Sequence, residues 1–222
     1  MNAPSLCHVF AFVTPGAPEA AALEAAGLRE SFRRAHPGQG TANACWCFDN
    51  AYLELLWVED AAALAGPAIA RTHLAERARW RETGASPFGI AVRGATPFAA
   101  WTYAPPYLPA GLSIPVALSA EDPRQPFLFR SPGDARPDAW TDGRAGGRQA
   151  AAGLAEIAGV HLEVTVPPSD DLRALEAAGL LTLSMAEAPR MVLTLSRRDG
   201  GAPRHLSLPD VRWENGVGAS RP

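Results

Sequence analysis

The sequence predicts an α+β protein assembled from repeated βαβββ units. Three observations lead to this class: short stretches rich in β-branched and aromatic residues, helices that end at glycine, and a six-residue sequence that occurs twice. The 222 residues, 47% of them hydrophobic, suffice for one substantial core or for two small cores that share an interface. We therefore interpret residues 1–222 as a single domain.

The first predicted unit spans residues 6–58. Its helix is expected to end at Gly27, because glycine accepts the left-handed backbone conformation in which helices commonly terminate. A turn at Asp49-Asn50 joins its last two strands. The predicted elements are, in chain order, a strand at 6–13, a helix at 18–26, and strands at 28–34, 44–48 and 52–58.

The remaining chain divides into a middle and a last section. A helical stretch at 61–83, broken at Gly66-Pro67, leads into the middle section at 84–130, for which short strands are predicted. Residues 131–149 are poor in apolar residues and are predicted to form a mobile loop. The last section, 158–213, is predicted to form a second βαβββ-like unit with Ser169 as its helix N-cap. The predicted strands of these sections are 88–92, 101–103, 114–118, 127–130, 160–166, 181–185, 191–196 and 205–208.

A short internal repeat links the first and the last section. The hexapeptide LEAAGL stands at 23–28 and again at 175–180, and each copy ends a predicted helix. His8 and His161 precede the two copies at nearly the same distance. A duplicated supersecondary unit would explain these features together, so we expect 6–58 and 160–208 to superpose with His8 over His161.

The residues of the first unit resemble a known superfamily. The stretch from Cys7-His8 through the His36-Pro37-Gly38 loop to Glu54 is similar to the glyoxalase-like branch of the vicinal-oxygen-chelate superfamily, as is the sequence ASPFG at 85–89. This resemblance implies that two units pair into a curved sheet whose cup holds a metal or a ligand. Either the middle or the last section can supply the partner unit; if it is the middle section, Gly89 takes the position that matches His8.

Three residues are candidate metal ligands. Strand alternation places His8 and Glu54 on cup-facing positions, and Glu54 interrupts an otherwise apolar strand, where an unpaired carboxylate is costly. With His161, they would form a set of two imidazoles and one carboxylate that suits a divalent ion such as Fe, Mn, Ni, Co or Zn. The alternative is a metal-free cup in which His8 and Glu54 bond to each other or to an arginine. Ser207 stands opposite Glu54 in our alignment of the units, and serine is a poor ligand; His205 shares its strand face.

Other residues are candidates for ligand contacts or for the core. His36 either caps the cup or belongs to a glycine-rich turn, and Trp101, Tyr103 and Tyr107 either line a pocket for a ring-bearing ligand or lie in the core. Cys45 and Cys47 share a strand face and could serve as soft metal ligands. We expect them instead to be buried and unbridged.

Composition limits the function classes. The net charge is −3 and the 20 cations are all arginine, so a nucleic-acid footprint is not indicated and lysine chemistry is excluded. No apolar run is long enough to span a membrane, and three cysteines without a leader suggest a cytoplasmic protein. The expected partner is a small molecule, and the resemblance also allows a homodimer.

Two functions remain open. The first is a metal-assisted lyase, isomerase or dioxygenase that acts on a small oxygenated molecule, with the ion as Lewis acid. The second is a metal-free protein that binds or sequesters a small molecule, as the resistance proteins of that superfamily do. The metal content of the purified protein would discriminate between them.

Overall fold

The computed structural model describes residues 3–214 and contains two β-sheets. The larger sheet has eight strands in the order β2-β3-β4-β1-β5-β8-β7-β6. Its strands are β1 (Ser5–Phe12), β2 (Phe32–His36), β3 (Thr41–Cys47), β4 (Tyr52–Val58), β5 (Phe88–Arg93), β6 (Ala100–Tyr103), β7 (Ile114–Ala117) and β8 (Phe127–Arg130).

The smaller sheet is built from the last section of the chain. It has five strands in the order β10-β9-β11-β12-β13. Their bounds are β9 (Leu154–Val164), β10 (Thr182–Met185), β11 (Arg190–Arg197), β12 (Arg204–Leu208) and β13 (Arg212–Glu214).

The helices are short and lie between the strands. Ser169 caps α6 by accepting a hydrogen bond from the backbone N–H of Leu172, as predicted. The helical stretch expected at 61–83 is divided into four pieces, and the break at Gly66-Pro67 separates the first two. The helices are α1 (Ala20–Ala25), α2 (Ala61–Leu64), α3 (Pro67–Ala70), α4 (Leu74–Ala78), α5 (Trp80–Thr83) and α6 (Asp170–Ala177), with 3₁₀ turns at Leu118–Glu121, Pro137–Ala139 and Ala150–Ala152.

The eight-stranded sheet consists of two halves with the same connectivity. In the first half β1 pairs in parallel with β4, and in the second half β5 pairs in parallel with β8. The halves join where β1 and β5 run antiparallel. The orders β1-β4-β3-β2 and β5-β8-β7-β6 therefore mirror each other, and the middle section of the chain is the partner of the first unit.

The last section does not repeat the first unit, and the expected superposition is wrong. Strand β9 pairs in parallel with β10, which directly follows α6, whereas β1 pairs with the fourth strand of its unit. The two hexapeptides are alike because both end a helix. Gly27 and Gly179 have φ angles of 85° and 73°, and the leucine that opens each copy is fully buried.

The main core lies between the two sheets. One face of the larger sheet, with Val9, Leu55 and Ile90, packs in a single cluster with Leu162 and Leu193 of the smaller sheet. The alternation of side chains in a strand sends the intervening residues to the opposite face. The smaller sheet therefore covers one face of the larger sheet and leaves the other for a cavity.

Cys7, Cys45 and Cys47 are buried and form no disulfide, which confirms the expectation for Cys45 and Cys47. No helix of the described residues is both long and apolar enough to cross a membrane.

Candidate functional site

A cavity of about 270 Å³ lies on the free face of the eight-stranded sheet. Side chains of both halves of the sheet line it, together with the segments at 103–108 and 131–144. The two halves contribute differently to its lining. The strands of the first half supply most of the polar groups together with some apolar ones, and β7 and β8 supply aliphatic and phenylalanine side chains.

The structure brings two of the three candidate metal ligands together. His8 on β1 and Glu54 on β4 both face the cavity, and His8 Nε2 lies 3.6 Å from Glu54 Oε2. A register shift between Leu6 and His8 marks a bulge at Cys7, and as a result Cys7 and His8 both line the cavity. The ring of His8 stacks on Tyr52 at 4.3 Å between centroids.

Burial controls the protonation of this pair. Desolvation raises the pKa of Glu54 from its ordinary 4.5 to about 7, against the opposing effects of a hydrogen bond from Asn43 and of the Arg34 charge. Desolvation and the charge of Arg93 lower the pKa of His8 from 6.5 to about 3. The imidazole is therefore neutral at neutral pH, and the carboxyl group titrates there.

Asn43 on β3 is the third polar residue of the cavity floor. Its Nδ2 donates to Glu54 Oε1 at 2.6 Å, while its Oδ1 is buried and has no hydrogen-bond partner among the described residues. Sequence reasoning missed Asn43, although an amide on a strand of otherwise apolar residues was a signal of the same kind as Glu54.

His36 lies at the end of β2, buried against the cavity, and not in the following loop as predicted. Its Nδ1 is 2.8 Å from Thr41 Oγ1, and Gln39 links the same hydroxyl to the hydroxyl of Tyr103. Tyr107 packs on the imidazole ring with centroids 4.4 Å apart. Desolvation and the Arg34 charge lower the pKa of His36 to about 4. These side chains form a hydrogen-bonded wall beside Asn43.

Arg34 adds a positive charge to this wall. Its guanidinium lies over the ring of Tyr107, 5.6 Å from the centroid. Among residues 3–214, it makes no ion pair, unlike its neighbour Arg33, which pairs with Glu30. Arg34 lines the cavity and is available to an anion.

The second half of the sheet makes an apolar wall. Phe127 and Phe129 on β8 pack against Phe10, with ring centroids 6.2 and 6.3 Å away. Gly89 on β5 leaves the space that the Phe10 ring occupies. Ile114 extends the wall along β7.

Residues 131–144 cover one side of the cavity. Trp140 packs against Tyr52 and Phe32, with centroids 5.8 and 6.2 Å away, and the guanidinium of Arg144 stacks on Trp140 at 3.8 Å. Gln149, the last residue of the predicted loop 131–149, is buried and bonds to the backbone of Arg29. The segment expected to be a mobile loop is thus anchored at its end and contributes an aromatic side chain to the site.

Other predicted site residues lie elsewhere. His161 is on β9 of the smaller sheet, where its ring bonds to Thr182 and Ser184, so the expectation that it joins His8 and Glu54 is wrong. The cause is the different connectivity of the last section. Trp101 does not line the cavity but packs beneath the Arg71 guanidinium, whereas Tyr103 does line it.

The donor set does not suit a tightly held metal ion. His8 and Glu54 are close enough to share one, but Gly89 and Phe129 occupy the positions of the second half that match them. Within residues 3–214, no group of three His, Cys, Asp or Glu side chains is arranged to hold a metal. Two protein ligands fall short of the three that catalytic zinc sites typically use.

Comparison with known proteins supports the resemblance seen in the sequence. Residues 6–105 match a family model described as a glyoxalase-like domain. The match covers the first half of the larger sheet except for Ser5 and reaches β6 in the second half. No curated protein matches the chain. Residues 6–105 are therefore similar to glyoxalase-like domains, in agreement with a vicinal-oxygen-chelate fold.

Proposed function

We propose that this protein binds a small ring-bearing molecule in its cup without the help of a metal ion. One observation carries the proposal: the half of the cup that would complete a metal site is a wall of phenylalanine rings. A concave, mostly apolar cavity with a few convergent polar groups is the usual form of a small-molecule site.

The aromatic lining favours a flat ligand. Phe127 and Phe129 on one side and Tyr52 and Trp140 on another present ring faces and edges to the same space. Aromatic side chains in such positions prefer offset-stacked or edge-to-face contacts with a further ring. The site therefore discriminates by shape first and by its polar floor second.

Metal dependence is the first property to test. The purified protein would be analysed for Fe, Mn, Ni, Co and Zn, and binding of 2-naphthol would be measured by calorimetry with and without EDTA. Saturable binding that EDTA leaves unchanged supports the proposal. Binding that needs an added divalent ion, or the lack of saturable binding, contradicts it.

Trp140 reports whether the ligand enters this cavity. We expect 2-naphthol to change the tryptophan fluorescence of the wild type and to change it much less in Trp140→Phe, because Trp140 lines the cavity. Trp80→Phe is the matched control, since Trp80 packs against Arg81 outside the cavity. An equal response of both variants would place the ligand elsewhere.

A second candidate function is metal-free proton transfer by Glu54, as in a lyase or an isomerase. A carboxyl group with a pKa of about 7 that faces a cavity beside a neutral imidazole is well matched to general acid–base chemistry at neutral pH. The test is exchange of an acidic C–H of a bound ketone probe, such as phenylacetone, in deuterium oxide. Exchange that Glu54→Gln abolishes supports this function, and exchange that the variant leaves unchanged excludes Glu54 as its base.

A further inference from the structure

Four neighbouring strands each contribute one side chain to a polar row across the cavity floor. Arg34 on β2 is the direct cross-strand partner of Asn43 on β3. Asn43 bonds diagonally to Glu54 on β4, and Glu54 lies 3.6 Å from His8 on β1. Since neighbouring strands are about 4.8 Å apart, the row is a set of adjacent groups and not a scatter of isolated ones.

The groups of this row differ in charge and in hydrogen-bonding role from one end to the other. Its β2 end carries the Arg34 guanidinium, which forms no ion pair within residues 3–214. Next to it lie two kinds of acceptor: the buried, unpartnered Oδ1 of Asn43 and the carboxylate of Glu54. A buried acceptor without a donor costs free energy, and a ligand that supplies the donor recovers it. A guanidinium prefers a planar anion with two oxygens.

Other polar side chains at the cavity already have partners: His36, Gln39 and Tyr103 bond within their own wall, and Arg144 pairs with Asp142. β7 and β8 present Ile114, Phe127 and Phe129, which accept only an apolar or aromatic body. A matching ligand therefore has an anion and a hydrogen-bond donor on neighbouring atoms at one end and a ring at the other.

We propose that the cup recognises a ring-bearing carboxylate with an amino or hydroxyl group on the adjacent carbon. The carboxylate pairs with Arg34, and the adjacent donor bonds to Asn43 Oδ1 and Glu54. The ring rests against Phe127 and Phe129. This assignment rests on the proposed binding function and adds the chemical class and the orientation of the ligand.

Matched probes test the two polar contacts separately. L-Phenylalanine and L-3-phenyllactate carry both groups, 3-phenylpropionate lacks the donor, and L-phenylalaninamide lacks the anion. By calorimetry, we expect each incomplete compound to bind about tenfold more weakly than the better complete one, since hydrogen bonds to charged groups contribute this much or more. Comparison of the amino acid with the hydroxy acid identifies the preferred donor.

A variant tests the carboxylate contact from the side of the protein. Arg34→Gln should lower the affinity for L-phenylalanine about tenfold and leave the affinity for L-phenylalaninamide unchanged. Arg33→Gln is the matched control, because Arg33 is the next residue of β2 but stacks over Trp57 on the opposite, core-facing side. It should change neither affinity.

Two outcomes would overturn the assignment and are distinguishable. If all four compounds bind equally well, or if Arg34→Gln affects acid and amide alike, the polar row does not read the ligand, while ring binding stands. If 2-naphthol also fails to bind, the proposed function itself is wrong.

Discussion

The two halves of the eight-stranded sheet share a backbone plan but differ in chemistry. The half β2-β3-β4-β1 carries the polar row, whereas the half β6-β7-β8-β5 carries phenylalanine and aliphatic side chains at the cavity. In the matching register, His8 corresponds to Gly89 and Glu54 to Phe129. The shared connectivity of the strands therefore sets the shape of the cup, and the individual side chains set its chemistry. One half can orient the polar groups of a ligand, and the other half can pack against its apolar part.

A buried arginine also supports each half, and Arg93 does so from β5, across the junction between the halves. Arg93 donates to the backbone oxygens of Leu6, Cys7 and Asn50 and ties the floor of the polar half together. Arg77 is fully buried behind the apolar half, under the ring of Phe127. Both use the several donors of a guanidinium to satisfy backbone carbonyls that strands and helices leave free.

The largest expected effect comes from the support of the apolar half. Arg77→Met should lower the free energy of unfolding by roughly 4 kcal/mol, because the buried carbonyls of Ala120, Pro123 and Gln125 lose their donors. Urea unfolding measures this. Arg79→Met is the matched control, since Arg79 is exposed, and its change should stay within about 0.5 kcal/mol. A small effect of Arg77→Met would mean that the carbonyls find other partners.

A somewhat smaller effect is expected where the halves meet. Gly89→Ala should destabilise the fold by roughly 3 kcal/mol, because a Cβ at this position would overlap the buried ring of Phe10. Gly159→Ala on β9 is the matched control, because its Cβ would meet Thr194 at 3.5 Å, which is an ordinary contact. This variant should leave the free energy of unfolding unchanged or raise it slightly. Equal stability of the two variants would show that the Phe10 ring has room to move.

Much of the fold follows from local sequence. The bounds of β4 and β8 were predicted to the residue, because each is a compact apolar run between clear turns. Strand β2 was placed about four residues early, since the alternation in 28–34 is as good as in the true strand Phe32–His36. Which strands pair was not readable, because pairing depends on contacts between distant segments.

The candidate site was predictable only in part. His8 and Glu54 stood out because each is a polar residue at a cavity-facing position of an apolar strand, and the structure places them 3.6 Å apart. His161 was added through the hexapeptide repeat, which reflects a common way to end a helix and not a shared unit. Asn43 was missed because the predicted strand 44–48 began one residue after it, whereas the strand is Thr41–Cys47. Arg34 was missed because its importance comes from being the cross-strand partner of Asn43, a relation that is invisible in one dimension.

The polar half should also have an unusual pH dependence. Between about pH 4.5 and 7, the folded state holds a proton on Glu54 that the unfolded state has lost, so this group makes stability fall as pH rises. Between about pH 3 and 6.5, the unfolded state protonates His8 and the folded state does not, so this group makes stability rise with pH. Over the shared window the two contributions oppose each other.

Single variants should separate these opposing contributions. As the pH rises from 5 to 6.5, the free energy of unfolding of Glu54→Gln should increase by roughly 2 kcal/mol relative to that of the wild type. The reason is that the variant lacks the titration of Glu54, which lowers the stability of the wild type by about 1.4 kcal/mol per pH unit. Over the same rise in pH, the free energy of unfolding of His8→Gln should decrease by about the same amount relative to that of the wild type. The neighbouring groups Cys45, Tyr52 and His36 are present in both comparisons and cancel in the differences. Urea unfolding at four pH values measures both slopes. Parallel curves for both variants and the wild type over this range would contradict the burial-driven shifts. The groups would then titrate alike in the folded and unfolded chain, or they would form an ion pair that moves the pKa of Glu54 below 4.5 and that of His8 above 6.5.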